Sequence, residues 1–359
     1  MDLMAIDRLK KEWYKFFDEH DDVYIYGAAK GAKRMYHLAE VTQVENKIKG
    51  FLVTDGKNNP KEFLNMPVID IHYFEKKDSG ILCPHLGKDA QDICELLEKL
   101  GFKKYILANV YMKILLEVEK ININDIEMQE TLRQIEFIQK EKSELSKIND
   151  KKVVKQVLKK LANGKPDFGD GIPYQSLETI GLEGQRPTLY RTLKYHLREI
   201  CTNEKTVLDI GCNTGFIDMT ISPYVKYVTG VEYDKVLADI ANEVKQYLKV
   251  ENCSFINNSF QKWIEDNAKQ KYDVIFSFAV HHWIGLEADE YVKCLDKLLN
   301  VDGYICFESH IITDDDGYFK CIKCFEKRQY SIIRRENIMD DGIHKREFII
   351  MKKNISEVD

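Results

Sequence analysis

Residues 206–216 read TVLDIGCNTGF, a stretch that combines a strand, a tight turn and the start of a helix. Its apolar beginning suits a buried parallel strand, and Asp209 closes that strand. Gly211 and Gly215 bracket the turn, where the backbone must adopt conformations closed to other residues and let a ligand approach. A strand, a glycine turn and a helix N-terminus together predict a pocket for a nucleoside-bearing cofactor at the carboxyl end of a sheet.

The same stretch lacks the signature of a phosphate-binding P-loop. Such a loop needs a lysine and a hydroxyl residue directly after its last glycine, to hold phosphates and magnesium. Neither residue type follows Gly215. The pocket is therefore predicted to bind the nucleoside part of a cofactor rather than the phosphates of a nucleoside triphosphate.

The stretch resembles the first motif of class I S-adenosylmethionine (SAM)-dependent methyltransferases, Asp/Glu-x-Gly-x-Gly-x-Gly. Asn213 stands at the middle glycine, and asparagine tolerates left-handed backbone conformations better than most residues. The resemblance implies that SAM is the cofactor and that it contacts Asp209, Gly211, Asn213 and Gly215. The alternative is an ordinary glycine-rich turn without a ligand.

Two further strand ends add cofactor candidates. Residues 227–232 end in Glu232, about twenty residues after Gly211, which is the usual spacing of the acid that accepts from ribose hydroxyls. Tyr233 would then border the adenine. Many relatives carry an adenine-binding aspartate where Ser259 stands, so Asn258 or Ser259 would have to substitute for it.

The most apolar strand leads to the predicted catalytic residues. Residues 272–278, YDVIFSF, read as a central parallel strand whose last residue, Phe278, is a cofactor-binding candidate. His281 and His282 follow, and in the resembled family this loop lies beside the transferable methyl group. A neutral imidazole there could accept the acceptor's proton, with His281 preferred over His282. Trp283 either lines the acceptor pocket or packs in the core.

Other polar residues frame the predicted acceptor side. Glu308 and His310 follow a strand that ends on the same side, where they would assist the base or bind substrate. Tyr174 and Arg186 lie in a segment that in the family folds over the cofactor. Arg186 and Arg191 could each bind a carboxylate, either at the cofactor's methionine end or of an acidic substrate. The alternative for Arg186 is a surface or interdomain ion pair.

We assign no metal ligands from the sequence. The spacing of His281, His282, Glu308 and His310 matches no metal-binding motif. Residues 321–324 form a lone CxxC without the second pair that a four-ligand zinc site requires. Coincidental helical cysteines are the preferred interpretation.

The N-terminal third reads as a second, smaller domain. Apolar strands alternate with helices over residues 1–110, which predicts a parallel α/β sheet. The segment resembles the Rossmann-like domains attached to bacterial sugar-modifying enzymes. Its turn, residues 27–32, reads GAAKGA and lacks two of the three glycines of a dinucleotide-binding fingerprint, so it is either a nucleotide-binding site or a degenerate scaffold.

A charged helical bridge, residues 111–165, is predicted to join the two domains. Its helices either pack the domains together or form a homo-oligomer seam. Residues 166–359 would be the methyltransferase domain, a seven-stranded Rossmann-like sheet.

Composition limits the class of protein. The 359 residues carry a net charge of -6, which gives no overall attraction to nucleic acid or to anionic membranes. The N-terminus alternates charged and apolar residues and reads neither as a signal peptide nor as a membrane span. Nine scattered cysteines predict free thiols in a reducing cytoplasm.

The predicted function is SAM-dependent O-methylation of a small hydroxylated acceptor, such as a sugar or nucleotide-sugar of surface-polysaccharide biosynthesis. One alternative is an RNA methyltransferase, because wobble-uridine tRNA enzymes carry a related strand-loop arrangement. Another is a non-catalytic scaffold that binds SAM or a nucleotide.

Overall fold

The computed structural model describes residues 3–84, 88–107, 144–164, 166, 173–341 and 344–354. The chain folds into two compact units, Met1–Phe137 with Asp341–Ile343 and Ile138–Asp340 with His344–Asp359. Residues 111–143, which are most of the predicted helical bridge, lie outside the described residues. The three-part division with borders at 110 and 165 therefore stays a prediction.

The first unit contains a six-stranded sheet with helices. Its strands lie in the order β3-β4-β2-β1-β5-β6, and all neighbours are parallel except the short pair β3 and β4. The elements are, in chain order, α1 (Leu3–Asp18), β1 (Val23–Tyr26), α2 (Lys30–Val41), β2 (Ile48–Val53), β3 (Glu62–Phe63), β4 (Met66–Asp70), β5 (Gly80–Cys83), α3 (Lys88–Lys99) and β6 (Tyr105–Leu107). The predicted parallel α/β domain is confirmed, with one correction. Helix α2 begins at Lys30, inside the predicted turn, because three of residues 30–33 favour helix.

The second unit contains a seven-stranded sheet in the order β12-β13-β11-β10-β7-β8-β9. Its strands are β7 (Thr206–Ile210), β8 (Tyr227–Glu232), β9 (Cys253–Asn257), β10 (Tyr272–Phe278), β11 (Leu299–Glu308), β12 (Tyr330–Ile338) and β13 (Arg346–Lys353). Strands β7 to β11 are parallel, and β13 runs antiparallel to both β11 and β12. This arrangement confirms the predicted seven-stranded Rossmann-like sheet. Strand β12 was not predicted, because its alternation of charged and apolar residues is weak.

Helices cover the second sheet. They are α4 (Glu144–Gly164), α5 (Thr188–Lys194), α6 (Leu197–Ile200), α7 (Phe216–Ile221), α8 (Lys235–Leu248), α9 (Phe260–Asn267), α10 (Ala288–Leu298) and α11 (Asp316–Lys327). The core between sheet and helices is made of fully buried aliphatic and aromatic side chains from the central strands and from α10. Burial on both faces explains why β7 and β10 are almost continuously apolar.

The order of the strands decides where a ligand can bind. Strand β7 has β8 on one side and β10 on the other. From β7 the chain extends the sheet in one direction through β8 and β9, and then in the other direction through β10 and β11. A crevice opens outside the carboxyl ends of the strands at such a switch point. The loops after β7, β8, β10 and β11 therefore surround one site.

No helix among the described residues is long and apolar enough to cross a membrane. All nine cysteines are unpaired in the structure.

Candidate functional site

The turn after β7 depends on glycine. Gly211 and Gly215 have φ angles of 71° and 65°, in the left-handed region that favours glycine. A Cβ on Gly211 would lie 2.4 Å from the Cγ2 atom of Val280 in the loop after β10. The turn therefore packs directly against the loop that carries the predicted catalytic histidines.

Asn213 ties this turn to the end of β8. Its φ is 56°, the left-handed conformation for which asparagine replaces glycine, as its position in the motif predicts. The Asn213 backbone N–H donates to Oε2 of Glu232 at 2.8 Å, and the Asp234 N–H donates to Oε1 at 2.8 Å. The buried Glu232 carboxylate is thus held in a fixed orientation by two backbone donors, although burial raises its pKa.

A glutamine from the segment before β7 supports the turn from the other side. Oε1 of Gln175 accepts from the Phe216 N–H at 3.0 Å, and its Nε2 donates to the Cys212 carbonyl at 3.4 Å. Gln175 thereby satisfies a donor at the start of α7 that has no intrahelical partner. From sequence alone Gln175 ranks below Arg186, because a lone glutamine carries no motif.

Asp209 lies under the turn rather than at its surface. Its side chain is buried beside Asp218 of α7, and burial raises the pKa of Asp209 to about 8, with the nearby Arg191 opposing the shift. Burial also raises the pKa of Asp218 well above its ordinary value, and the Asp209 charge adds to that shift. Both shifts favour a protonated pair over two buried charges at neutral pH.

These residues fit the adenosyl part of SAM. A carboxylate has about four acceptor positions, and backbone donors occupy two of those of Glu232, which leaves room for two vicinal hydroxyls. Tyr233 follows directly and is 74% exposed, so its ring is available to a flat base. Gly211 and Gly215 present backbone without side chains at the same edge.

The loop after β9 contributes less than predicted. Ser259 is the N-cap of α9 and accepts from the Lys262 N–H at 3.3 Å. Asn257, which sequence reasoning did not consider, donates through Nδ2 to the carbonyls of Glu232 and Tyr233 at 3.0 and 2.8 Å. Asn257 thus fixes the loop after β8; a polar residue at a strand end was the only signal for it.

Arg186 lies in a fully buried ion-pair network. It donates through Nε to Asp340 at 2.6 Å and through Nη2 to Glu308 at 2.5 Å, and through Nη1 to the Tyr174 hydroxyl at 3.2 Å. The structure thus brings together three predicted site residues, Tyr174, Arg186 and Glu308. The Arg186 ion pairs are buried inside the second unit, so they match neither a surface nor an interdomain ion pair.

Glu308 is ionised in this network. Burial alone would raise its pKa, but Arg186 and Arg191 lower it to about 2. Tyr195 also donates its hydroxyl to the same carboxylate. A carboxylate with so low a pKa and so many donors is a poor proton acceptor, so the contacts do not match the predicted assistance to a base.

Arg191 has fewer hydrogen-bond partners than Arg186. It is buried, its Nη2 lies 3.3 Å from Glu308 and its Nε lies 3.6 Å from Oδ2 of Asp340, whereas its Nη1 has no hydrogen-bond partner among the described residues. Its guanidinium carbon lies 5.6 Å from the ring centre of Phe278, the last residue of β10. An unused donor of a guanidinium at the carboxyl edge of the sheet suits a ligand carboxylate.

The predicted catalytic histidines meet an aspartate that sequence reasoning missed. Nε2 of His281 lies 2.9 Å and Nε2 of His282 lies 3.0 Å from Oδ1 of Asp315, which caps α11. From sequence Asp315 is only part of an acidic loop, since no motif links it to residues 34 positions earlier. His281 is buried, and His282 keeps 36% of its side chain exposed.

Two further candidates flank this cluster. The backbone N–H of His310 donates to Oδ2 of Asp315 at 2.6 Å, and the His310 ring lies 5.6 Å from that of His282, centre to centre. Trp283 is 61% exposed, which excludes its alternative as a core residue. The end of β10 therefore carries an exposed aromatic ring beside the histidines.

A cavity of about 420 Å³ lies elsewhere, at the amino ends of the strands. Thr206, Tyr227, Ser254 and Tyr272 line it. Ligands of open α/β sheets bind at the opposite, carboxyl ends, where the predicted site residues lie.

The family comparison and the sequence comparison both match this chain to methyltransferases. Residues 202–346 match the family model described as a methyltransferase domain. An uncharacterized RNA methyltransferase of Clostridium tetani is 33% identical over 96 residues, which cover 27% of this chain and 21% of that protein. The uncharacterized methyltransferase YcgJ of Bacillus subtilis is 28% identical over 117 residues, covering 32% of this chain and 44% of that protein.

The crystal structure of YcgJ aligns with 46% of this chain and 100% of its own, at 18% identity and a TM-score of 0.38. The chain spans less than half the length of both curated relatives in the sequence comparison. The family match covers strands β7 to β12, the glycine turn and the loops that carry Glu232, His281, His282 and Asp315. Residues 202–346 are therefore a methyltransferase domain on a Rossmann-like sheet, with S-adenosylmethionine as the cofactor.

Proposed function

We propose that the whole protein is an enzyme that transfers a methyl group from SAM to an oxygen of a small hydroxylated acceptor. The observation that carries the proposal is the link between the glycine turn and Glu232, in which the Asn213 N–H holds the carboxylate at 2.8 Å. This link brings an adenosyl-binding carboxylate to the switch point of the sheet.

When bound, SAM supplies an electrophilic methyl group, whose bond to sulfur breaks with its electron pair staying on sulfur while the acceptor oxygen forms the new bond and loses its proton. The chain's residues position the partners. Glu232 and the turn hold the adenosyl end, and Arg191 offers Nη1 to the carboxylate at the other end. Alignment of the two reacting atoms supplies much of the rate enhancement.

The acceptor end is formed by the loops after β10 and β11. His281, His282 and Asp315 are the polar groups there, and Trp283 is available as an apolar wall. Asp314 and Asp316 are exposed beside Asp315. An acidic rim suits an acceptor whose reacting end is neutral and hydroxylated, as a sugar ring is.

The proposal that the acceptor is a sugar rests on a resemblance of the first unit. The first unit resembles domains of bacterial sugar-modifying enzymes, which favours a sugar or nucleotide-sugar of surface-polysaccharide biosynthesis. The cytoplasmic location, the three-part domain division, the homo-oligomer through the bridge and nucleotide binding by the first unit belong to the same proposal.

RNA is the second candidate acceptor. It is favoured by the name of the Clostridium tetani relative, an RNA methyltransferase that matches over 96 residues. The net charge of -6 argues against it, because RNA binding draws on neutralised phosphates. The third alternative, a SAM-binding scaffold without turnover, predicts binding but no methyl transfer.

The test is transfer from methyl-labelled SAM to the glycan, lipid, RNA and protein fractions of a cell extract. The proposal predicts label in the glycan or nucleotide-sugar fraction, insensitive to ribonuclease. Label that disappears after ribonuclease treatment would establish RNA as the acceptor. If the protein binds SAM and no fraction is labelled, the scaffold alternative replaces the enzyme.

A further inference from the structure

Asp315 is the centre of a cluster with more donors than its oxygen can use. Its Oδ1 lies 2.9 Å from Nε2 of His281, 3.0 Å from Nε2 of His282 and 2.8 Å from the Tyr318 backbone N–H. One carboxylate oxygen has two lone pairs. If both imidazoles carry their proton on Nε2, three N–H groups compete for two lone pairs; if one does not, its lone pair faces the carboxylate.

A second polar group of this cluster lacks a hydrogen-bond partner within the described part of the chain. The side chain of His281 is 2% exposed, and its Nδ1 has no hydrogen-bond partner among the described residues. A buried polar nitrogen without a partner is costly. The His281 ring therefore has Asp315 as its only hydrogen-bond partner among the described residues.

We propose that His281, His282 and Asp315 bind a divalent cation of the zinc class, and that this cation binds an acceptor through neighbouring hydroxyl groups. Their three ligand atoms lie within 4.8 Å of one another. With a cation between them, both Nε2 lone pairs point at the cation, and Oδ1 keeps its second lone pair for Tyr318. The conflict among the donors is thereby removed.

The two nitrogen–oxygen distances need only small adjustments to accept a cation. Zinc binds imidazole nitrogen and carboxylate oxygen at about 2.0–2.2 Å, so ligand atoms of a tetrahedral site lie about 3.4 Å apart. The two nitrogen–oxygen contacts would each lengthen by about 0.4 Å. Two histidines and one carboxylate are a common ligand set for metals that keep open positions for substrate.

The surroundings hold the carboxylate and leave room. The His310 N–H donates to Oδ2 at 2.6 Å, which orients Asp315 through its other oxygen. A Cβ on Gly317 would lie 3.3 Å from Cδ2 of His281 and 3.5 Å from Cε1 of His282. The chain thus passes the ligand atoms at a residue without a side chain.

This inference rests on the proposed function for its chemistry but not for the cation site itself. A cation at the acceptor end lowers the pKa of a hydroxyl that binds to it, so the proton leaves to solvent. The oxygen then attacks the methyl carbon as the carbon–sulfur bond breaks. In this account His281 and His282 act as ligands, in place of the proton-accepting role predicted from sequence.

The test uses the full chain after removal of metals by a chelator, titrated with Co²⁺ and followed by its visible absorption and by calorimetry. We expect one equivalent per chain with the intense bands of a tetrahedral site. His282→Ala and Asp315→Asn should each weaken binding at least about tenfold. His282 is partly exposed, so its removal leaves the core intact, and a thermal melt verifies this.

His72→Ala is the matched control, since Nδ1 of His72 also lies 2.9 Å from an aspartate, Asp70, without a second histidine. It should bind Co²⁺ like the unmodified protein. Absence of saturable binding, or equal affinity in His282→Ala, would overturn the proposal.

Activity separates this inference from the proposed function. Full methyl transfer by the metal-free protein would overturn the cation's role and leave the proposed function standing. One bound equivalent with no transfer to any fraction would support the cation site and reject the proposed function.

Discussion

The Asn213 backbone N–H donates to the Glu232 carboxylate at 2.8 Å, across nineteen residues of sequence. The left-handed φ of Asn213 turns this N–H toward β8, and the Asp234 N–H holds the other carboxylate oxygen. One contact thus joins the turn that we propose approaches the cofactor to the acid that we propose accepts from it. The first four predictions below concern the framework of this site, and the last concerns the contact itself.

Gly211→Ala should destabilise the protein more than Gly181→Ala. Both glycines have φ angles near 70°, so alanine costs about 1–2 kcal/mol at either position. At Gly211 the new Cβ also overlaps Val280 at 2.4 Å, whereas nothing lies within 4 Å of that of Gly181. The overlap should add about 1–3 kcal/mol, measured as the free energy of unfolding in urea. Equal losses would show that packing against Val280 is unimportant.

Arg186→Met should lower the free energy of unfolding by about 3–5 kcal/mol. The substitution leaves the buried carboxylates of Glu308 and Asp340 without their main partner. Arg334→Met is the control, because Arg334 pairs with Glu199 at the surface and should cost less than about 1 kcal/mol. Urea titrations of both variants measure the difference. A small loss for Arg186→Met would mean that the network can rearrange.

Glu308 should make stability depend on pH in the acid range. Its pKa is about 2 in the folded protein against an ordinary value of 4.5, so the folded state binds its proton less readily than the unfolded state. Its contribution is fully present above pH 4.5 and is lost as the pH falls toward 2, by about 3 kcal/mol in total. Urea titrations between pH 5 and 3 should give a slope that Glu308→Gln reduces. An unchanged slope would contradict the assignment.

Asp218 should have the opposite effect at higher pH. Burial and the neighbouring Asp209 raise its pKa, so the folded state holds a proton that the unfolded state has released. Stability therefore falls as the pH rises above the ordinary aspartate range, through the folded pKa values of the pair. Asp218→Asn should raise the melting temperature at pH 8.5, relative to the unmodified protein, more than at pH 5. A gain that is the same at both pH values would argue against the protonated pair.

The sequence predicted the parts of the site that lie on single strand ends. The apolar strands, the positive φ expected of Asn213 and the spacing of Glu232 are all local patterns, because each strand carries its own register and its own closing residue. The strand order then follows from the chain connections. The position of the pocket was therefore predictable before any contact was known.

Residues that depend on distant partners could not be predicted in the same way. The role of Arg186 is set by Glu308 and Asp340, which lie 122 and 154 residues away. Asp315 reaches the histidines only because α11 begins beside them. Ser259 occupies a family position for adenine contact, but the local demand of a helix N-terminus uses its hydroxyl.

The central claim is that the turn and Glu232 together hold SAM. Calorimetric titration of the full chain with SAM tests it most directly, comparing Glu232→Gln with Asp239→Asn, which changes an exposed carboxylate on α8. Loss of a charged hydrogen-bond acceptor costs about 1.5–3 kcal/mol, so the Kd of Glu232→Gln should rise at least tenfold while that of Asp239→Asn stays unchanged. Equal SAM affinity in a folded Glu232→Gln and the unmodified protein would contradict the account.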